Sequence, residues 1–384
     1  MDPSIKPFKI SVPDSAIDTL KAKLASTTFP DEVPLADSWD YGTPLTDMKR
    51  LVKFWSDGFD WRAQEKRLNE LPQFTTKIDV DGFEQLDIHF VHRRSKREGR
   101  PGSFIEVTKI ISLLTDGKPD GPSFHVVAPS LPNFGFSQAP SKPGFGLAQY
   151  AEVNHKLMLK LGYDKYATQG GDWGWSINRM MGVRYPSHVV ASHFNYVPAD
   201  RARLTKCLDS LSSPLTEQEK EGVVRSEWFY DKGFGYNYLQ STRPSTLGFA
   251  LRDSPTALLS WIYEKLHDWT DCYPWTDDEI LTWISIYQFS RAGPEASLRI
   301  YYEAVHMKPE ERSKVYEYNK DVKLGLSYFP RDVIVAPSAY GRTMGPVVYE
   351  IRHPDGGHFA AYERPELLVG DLRKMFGEEG RVMW

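Results

Sequence analysis

Gly170-Gly171-Asp172-Trp173-Gly174 decides the fold. On its N-terminal side, Lys165-Tyr166-Ala167-Thr168-Gln169 is short and partly β-branched and reads as a strand. On its C-terminal side, Trp175 to Arg184 reads as a helix. Strand, small-x-acid-x-small, helix is the pattern of a sharp turn that presents its central side chain at the tip. The turn strains that central residue, so its neighbours must be small. The helix N-terminus behind it favours negative charge. Serine usually holds the central place; here it is a carboxylate. An aspartate so placed attacks an electrophilic carbon and forms an ester, but it is no peptidase or lipase nucleophile. The bland alternative is a glycine-rich strand-to-helix turn with a capping aspartate.

A chain of 384 residues suits one large core with insertions, or two domains. The hydrophobic share of 41% and charged share of 26% are those of an ordinary water-exposed globular protein. A net charge of -4 gives no basic footprint for nucleic acid. The two cysteines, Cys207 and Cys272, supply neither a disulfide framework nor a metal set. No run reaches the apolar length of a membrane span. Met1-Asp2-Pro3-Ser4 does not read as a signal peptide, so a cytoplasmic enzyme is the expectation.

Upstream of the turn, Ile17, Leu20 and Leu24 fall at helical spacing after Ser15, a plausible cap. Met48, Leu51, Val52 and Trp55 make a second stripe, and Trp61, Leu68 and Leu71 a third. All three stripes read as core. A hairpin follows, with Phe74 to Val80 as one strand, Asp81-Gly82 as the turn, and Leu86, Ile88 and Phe90 alternating on a half-buried return strand. The basic run from His92 to Arg100 reads as a solvated loop rather than a phosphate patch. Phe104 to Leu114 reads as a helix, Phe124 to Pro129 as a buried strand, and Leu147 to Leu161 as a helix. Val189 to Phe194 is the strand after the turn. Strands alternating with helices predict a mainly parallel α/β sheet. From about Asp200 to Asn319 the chain reads as helical and aromatic, after which Val333 to Ala336 and Val347 to Ile351 resume the sheet. A helix over Pro365 to Phe376 closes the chain.

An α/β-hydrolase core takes its nucleophile, acid and histidine in that chain order. Asp172 supplies the first. His358, on Gly356-Gly357-His358-Phe359, stands on a loop after the last strand, where such a histidine belongs. Asp332, beside Val333-Ile334-Val335, is the first choice for the acid; Asp355 is too near His358 in sequence to swing back.

Four stretches now carry a resemblance: Gly170 to Gly174; Pro129-Ser130-Leu131-Pro132 with Gly135-Phe136-Ser137; Ser327-Tyr328-Phe329-Pro330-Arg331-Asp332; and Gly356 to Ala361 with Glu363 and Pro365. Across nearly its whole length the chain resembles the microsomal-type epoxide hydrolases. The resemblance implies an N-terminal meander and first hairpin over residues 1–92, an α/β-hydrolase core over 93–199 and 320–384, and a helical lid over 200–319. It implies Asp332 as the acid that orients His358. It implies two lid tyrosines as proton donors, Tyr236 and Tyr301, with Tyr302 competing for the second place. It also implies the Trp173 backbone N–H as an oxyanion donor. Asp172 would open an epoxide to a hydroxyalkyl ester, and water activated by His358 would release a vicinal diol. A small apolar epoxide and water are the implied partners, with no metal or cofactor and with a homodimer left open. Detoxification of foreign compounds or secondary metabolism is the implied setting.

The family also carries a central strand ending in His-Gly-Trp-Pro-Gly, and this chain lacks it. Arg97-Glu98-Gly99 runs straight into Arg100-Pro101-Gly102-Ser103. Only the Pro-Gly tail survives, with Arg100 at the position of the Trp whose N–H is the family's second oxyanion donor. His92 to Arg100 must then cross the sheet, about 17–20 Å for an ordinary strand. That would bring cations towards its centre, where burial costs several kcal/mol each. Distorted packing and impaired activity are the expectation. Asn133, where the family tends to have Gly, is expected to tolerate a left-handed backbone. The runner-up functions are a haloalkane dehalogenase-like hydrolase and a non-catalytic, ligand-binding member of the fold.

Overall fold

Two four-stranded sheets carry the core, in the orders β1-β2-β3-β4 and β5-β6-β7-β8. The computed structural model describes residues 2–95, 106–116, 121–377 and 382. In the first sheet β1 (Lys6–Pro7), β2 (Gln73–Ile78), β3 (Leu86–Arg93) and β4 (Val126–Pro129) pair antiparallel. In the second, β5 (Tyr166–Gly170), β6 (Val189–Phe194), β7 (Lys323–Tyr328) and β8 (Val347–Arg352) pair parallel. Among the described residues β4 pairs only with β3, and β5 only with β6. Among the described residues, one edge of each of these two strands thus makes no pairing.

Helices α1 (Asp14–Ala25), α2 (Leu45–Asp57) and α3 (Trp61–Leu68) precede the first hairpin. Their apolar stripes are buried, but not against the sheet alone. Leu20, Leu24, Leu51 and Trp55 form one cluster with Leu258, Leu266, Leu281 and Ile284 of the later helices. Each fully buried Leu in such a cluster stabilises by about 1.5–3 kcal/mol, so the N-terminal helices hold the distal ones in place. Ser15 lies inside α1, whose N-cap is Pro13, so it is not the cap. The return strand β3 is not half-buried: His89, Val91 and His92 are as enclosed as Ile88 and Phe90. Its two faces enter different clusters, Ile88 and Phe90 in one and Val91 in another, so both sides are covered.

After β3, a 3-10 turn at Glu106–Thr108 and a short helix, α4 (Ile111–Thr115), stand where one longer helix was predicted. The start of that predicted helix, and the stretch from Lys96 to Ile105, lie outside the described residues. Next come α5 (Leu147–Lys160) before β5 and α6 (Asp172–Arg184) after it. Between β6 and β7 run α7 (Arg201–Asp209), α8 (Glu217–Trp228), α9 (Gly235–Thr242), α10 (Pro244–Asp253), α11 (Pro255–Asp268), α12 (Asp277–Gln288), α13 (Arg299–Val305) and α14 (Pro309–Ser313). Short helices α15 (Ser338–Gly341) and α16 (Ala360–Glu363) and the closing α17 (Pro365–Phe376) complete the core.

The strand predicted over Val333 to Ala336 is not one. That stretch makes a single isolated bridge, Val335 to Val197, and the Val335 N–H donates to Ser226 Oγ at 2.9 Å. The sheet strand is β7, ten residues earlier. Asp332 therefore follows its strand by four residues rather than preceding one.

Candidate active site

The turn between β5 and α6 sets the Asp172 carboxylate. Asp172 has φ +44°, in the left-handed region that a non-glycine residue enters only at a cost. Two of the three glycines around it are required by space. A Cβ at Gly170 would come within 2.8 Å of Asn178 Nδ2 and 3.0 Å of the Gly174 carbonyl carbon, and one at Gly171 within 2.9 Å of Asn195 Nδ2. A Cβ at Gly174 would meet nothing within 4 Å, so smallness there is not a steric demand. Asn133 has φ 73°, the left-handed backbone expected of it, and its Nδ2 donates to Tyr150 Oη at 2.9 Å.

The carboxylate is held from two sides. The Trp173 N–H donates to Asp172 Oδ1 at 2.5 Å, and His358 Nε2 lies 3.2 Å from Asp172 Oδ2. Behind the imidazole, His358 Nδ1 is 2.6 Å from Asp332 Oδ1, which also accepts the Val333 N–H at 2.7 Å. Asp172, His358 and Asp332 thus form one continuous line, assembled from the loops after β5, β8 and β7. Burial alone would push the His358 pKa down; the Asp332 and Asp172 carboxylates outweigh it and hold the imidazole up at about 10. Burial pushes Asp332 up, while its imidazole partner opposes that shift.

Tyr236, on α9, and Tyr301, on α13, both line the cavity that contains Asp172. Their rings meet edge to face at 5.9 Å, and Tyr301 stands edge-on to Trp173 at 4.9 Å. Burial first, and the charge of Asp172 among further causes, raises both phenols well above their ordinary value. They therefore stay protonated and keep an O–H to donate at neutral pH. Tyr302 is turned away: it is exposed and stacks on His306 at 4.0 Å. Of the two tyrosines left open on α13, the structure brings Tyr301 to the cavity and leaves Tyr302 outside. Asp355 pairs with Arg364 at 2.9 Å instead of approaching His358.

Sequence reasoning missed the loop after α11. The His358 N–H donates to Trp269 O at 2.7 Å, and the Gly356 N–H to Asp271 Oδ2 at 2.9 Å. Glu363 accepts from the Asp271 N–H at 2.8 Å and from the Phe359 N–H at 3.2 Å. The first three of these bonds clasp the histidine loop to the segment after α11, and the fourth braces the loop itself. Glu363, in the GGHFAAxE stretch, carried the available signal. Lys265 also lines the cavity, its ammonium 5.1 Å from the Tyr236 ring, and burial draws its pKa down. The cavity holds about 360 Å³, within the range of small-molecule sites.

A parallel sheet with a carboxylate in the left-handed region at a strand-helix turn, lined up with a histidine and a buried acid, has the architecture of an α/β-hydrolase. The comparisons agree. The profile for the epoxide hydrolase N terminus matches residues 5–107, and that for the alpha/beta hydrolase fold matches residues 98–195. The chain is 37% identical to a putative epoxide hydrolase of Stigmatella aurantiaca, covering 97% of this chain and 84% of the relative. It is 36% identical to epoxide hydrolase 1 of Sus scrofa, covering 98% and 89%. Among solved structures, Aspergillus niger epoxide hydrolase superposes with a TM-score of 0.83 at 35% identity, covering 97% of this chain and 95% of that one. Juvenile hormone epoxide hydrolase of Bombyx mori gives 0.87 at 27% identity, covering 98% and 94%. The chain belongs to the epoxide hydrolase family. Halide release and mere ligand binding, the alternatives raised from sequence, receive no support from these relatives. Among the described residues, no helix is long and apolar enough to cross a membrane.

Proposed function

We propose that this chain opens apolar epoxides to vicinal diols through an ester on Asp172. The observation that carries this reading is the unbroken line Asp172–His358–Asp332 facing a cavity roofed by two phenols. Oδ1 of Asp172 accepts the Trp173 amide N–H, and Oδ2, on the His358 side, attacks the ring carbon. The ring C–O bond breaks as the Oδ2–C bond forms. Tyr236 and Tyr301 hydrogen-bond the departing oxygen, and one passes it a proton.

Ester formation removes the Asp172 charge, and with it two of the causes that hold the His358 pKa up. Its pKa therefore falls at the step in which it must take a proton from water. The resulting hydroxide attacks the ester carbonyl, the acyl C–O bond breaks, the departing alkoxide takes the proton of the new Asp172 carboxyl to leave as the diol, and the proton held by His358 goes back to the tyrosine that gave one up. Asp332, fixed by the Val333 N–H, keeps the imidazole aligned.

The Trp173 N–H supplies one donor to the oxyanion of that second step. The other, by resemblance, would fall at Arg100, outside the described residues. The alignment with the Stigmatella relative spans 391 positions, more than this chain's 384 residues, so that relative carries residues this chain lacks. The lack of pairing at one edge of β4 and of β5 among the described residues supports a missing central strand. Loss of one oxyanion donor costs about 100–1,000-fold in rate, so ester hydrolysis is the slow step. Apolar substrates and a cytoplasmic setting belong to the same reading, supported by an aromatic-lined cavity and an ordinary polar composition.

The test is diol formation from a panel of aryl and alkyl epoxides, with intact mass measured in parallel. Diol with a protein adduct during turnover supports the reading. No diol and no adduct from any epoxide, in a folded sample, would refute it.

A further inference from the structure

The cavity does not stop at the nucleophile. Above Asp172 it is lined by lid residues; below, it continues between β4 and β5, whose facing edges make no pairing among the described residues. Its lower walls include Val127 of β4, Ala167 of β5, Leu157 and Met158 of α5, and Ile177 and Met181 of α6. Two rulers give its depth. It touches both Tyr166 and Gly170, the first and last residues of β5, four strand steps or about 13 Å apart. It also touches Met181, nine helical steps below Asp172, again about 13 Å. Thr168, midway down, turns its hydroxyl to Ser192 at 2.8 Å, away from the opening. Glu106 marks the upper part: its surface is exposed although burial pushes its carboxyl up, because the space it faces is interior.

We propose that this slot between β4 and β5 takes the long, unbranched apolar arm of the substrate, with the epoxide ring at Asp172 and the arm running down through the divided sheet. The inference rests on the epoxide reading above and narrows it to terminal epoxides with an arm of about eight to ten carbons, which is what about 13 Å of depth accommodates with bonds near 1.5 Å in a zigzag. Continuity with the reactive carboxylate selects this occupant, since whatever fills the slot shares one cavity with Asp172. Beside Asn154 and Asn178, which also line it, the slot presents Val127, Leu157, Met158, Ile177 and Met181 to methylenes, each worth up to about fourfold in affinity.

The test is binding of the diol products, n-alkane-1,2-diols of increasing length, followed by intrinsic fluorescence, since Trp173 and Trp269 line the same cavity. The expected result is a dissociation constant that falls at least twofold per added methylene and levels near ten carbons. Affinity that stops improving after the first four or five carbons would overturn the proposal. Ala167→Leu should weaken the long diols at least tenfold and the short ones much less, at an unchanged thermal melt. Equal loss for short and long diols would count against the slot. Because binding needs no turnover, the two readings fail separately. Length-dependent binding without diol formation removes the function and keeps the slot. Turnover of a small aryl epoxide without length-dependent diol binding does the reverse.

Discussion

Asp332→Asn isolates the second chemical step. Asp332 is only 2% exposed, and its Oδ1 holds both His358 Nδ1 at 2.6 Å and the Val333 N–H at 2.7 Å. An asparagine Oδ1 can accept both bonds, so the loop should keep its place. What disappears is the charge that most strongly opposes the burial of His358. The imidazole then loses the partner that stabilises it as it takes a proton from water. General-base assistance contributes about 100–10,000-fold, so ester hydrolysis should slow about 1,000-fold, or about 4 kcal/mol. Attack by Asp172 involves neither Asp332 nor a proton on His358 in transit, and should change less than about tenfold by the same measure. Single-turnover mixing with a reactive aryl epoxide, read by tryptophan fluorescence and by intact mass, separates the two rates. The variant should accumulate one adduct per protein. Equal slowing of both steps, or hydrolysis at the parent rate, would refute the role given to Asp332.

Tyr236→Phe and Tyr301→Phe should each slow ester formation, by about 10- to 100-fold if each phenol supplies part of the acid assistance, and the double variant should form no adduct. Tyr302→Phe, on an exposed ring, should change the same pre-steady-state rate less than twofold, within the scatter of surface substitutions. Gly170→Ala should fail in a thermal melt or lose its activity, since its Cβ would strike the Gly174 backbone, whereas Gly174→Ala should keep the melting point of the parent. Asp371, buried, accepts from Ser327 Oγ at 2.6 Å and Tyr349 Oη at 2.7 Å and pairs with His353 at 2.7 Å. Burial pushes its pKa up, but these partners outweigh that and leave it below the ordinary value. Its contribution is therefore complete above the unfolded pKa of about 4 and lost as pH falls through the lower folded one. Asp371→Asn should cost about 3–5 kcal/mol in urea unfolding at pH 7, and the gap from the parent should narrow on acidification below pH of about 4.

The turn at Asp172 was legible because its demand is local: the glycines that Asn178 and Asn195 crowd are neighbours of Asp172 in sequence. His358 was legible for the same reason. Strand β7 was missed because its small residues answer distant neighbours. A Cβ at Gly325 would collide with Met375 Sδ at 2.3 Å and approach His193 at 2.9 Å, so a buried strand carries a glycine and reads as loop. Val333 to Ala336 misled in the opposite way, being apolar and buried without a strand partner beyond one bridge. The clasp from Trp269 and Asp271 to the histidine loop joins residues more than eighty positions apart, and nothing in either stretch announces the other.

The most direct measurement is the fate of isotopic oxygen. In water enriched in heavy oxygen, the first turnover should yield diol whose new oxygen is unlabelled, because it comes from Asp172 Oδ2. After many turnovers the peptide containing Asp172 should carry the label. A labelled diol from the first turnover, with Asp172 unlabelled throughout, would mean that water attacks the epoxide directly and that Asp172 forms no bond to it.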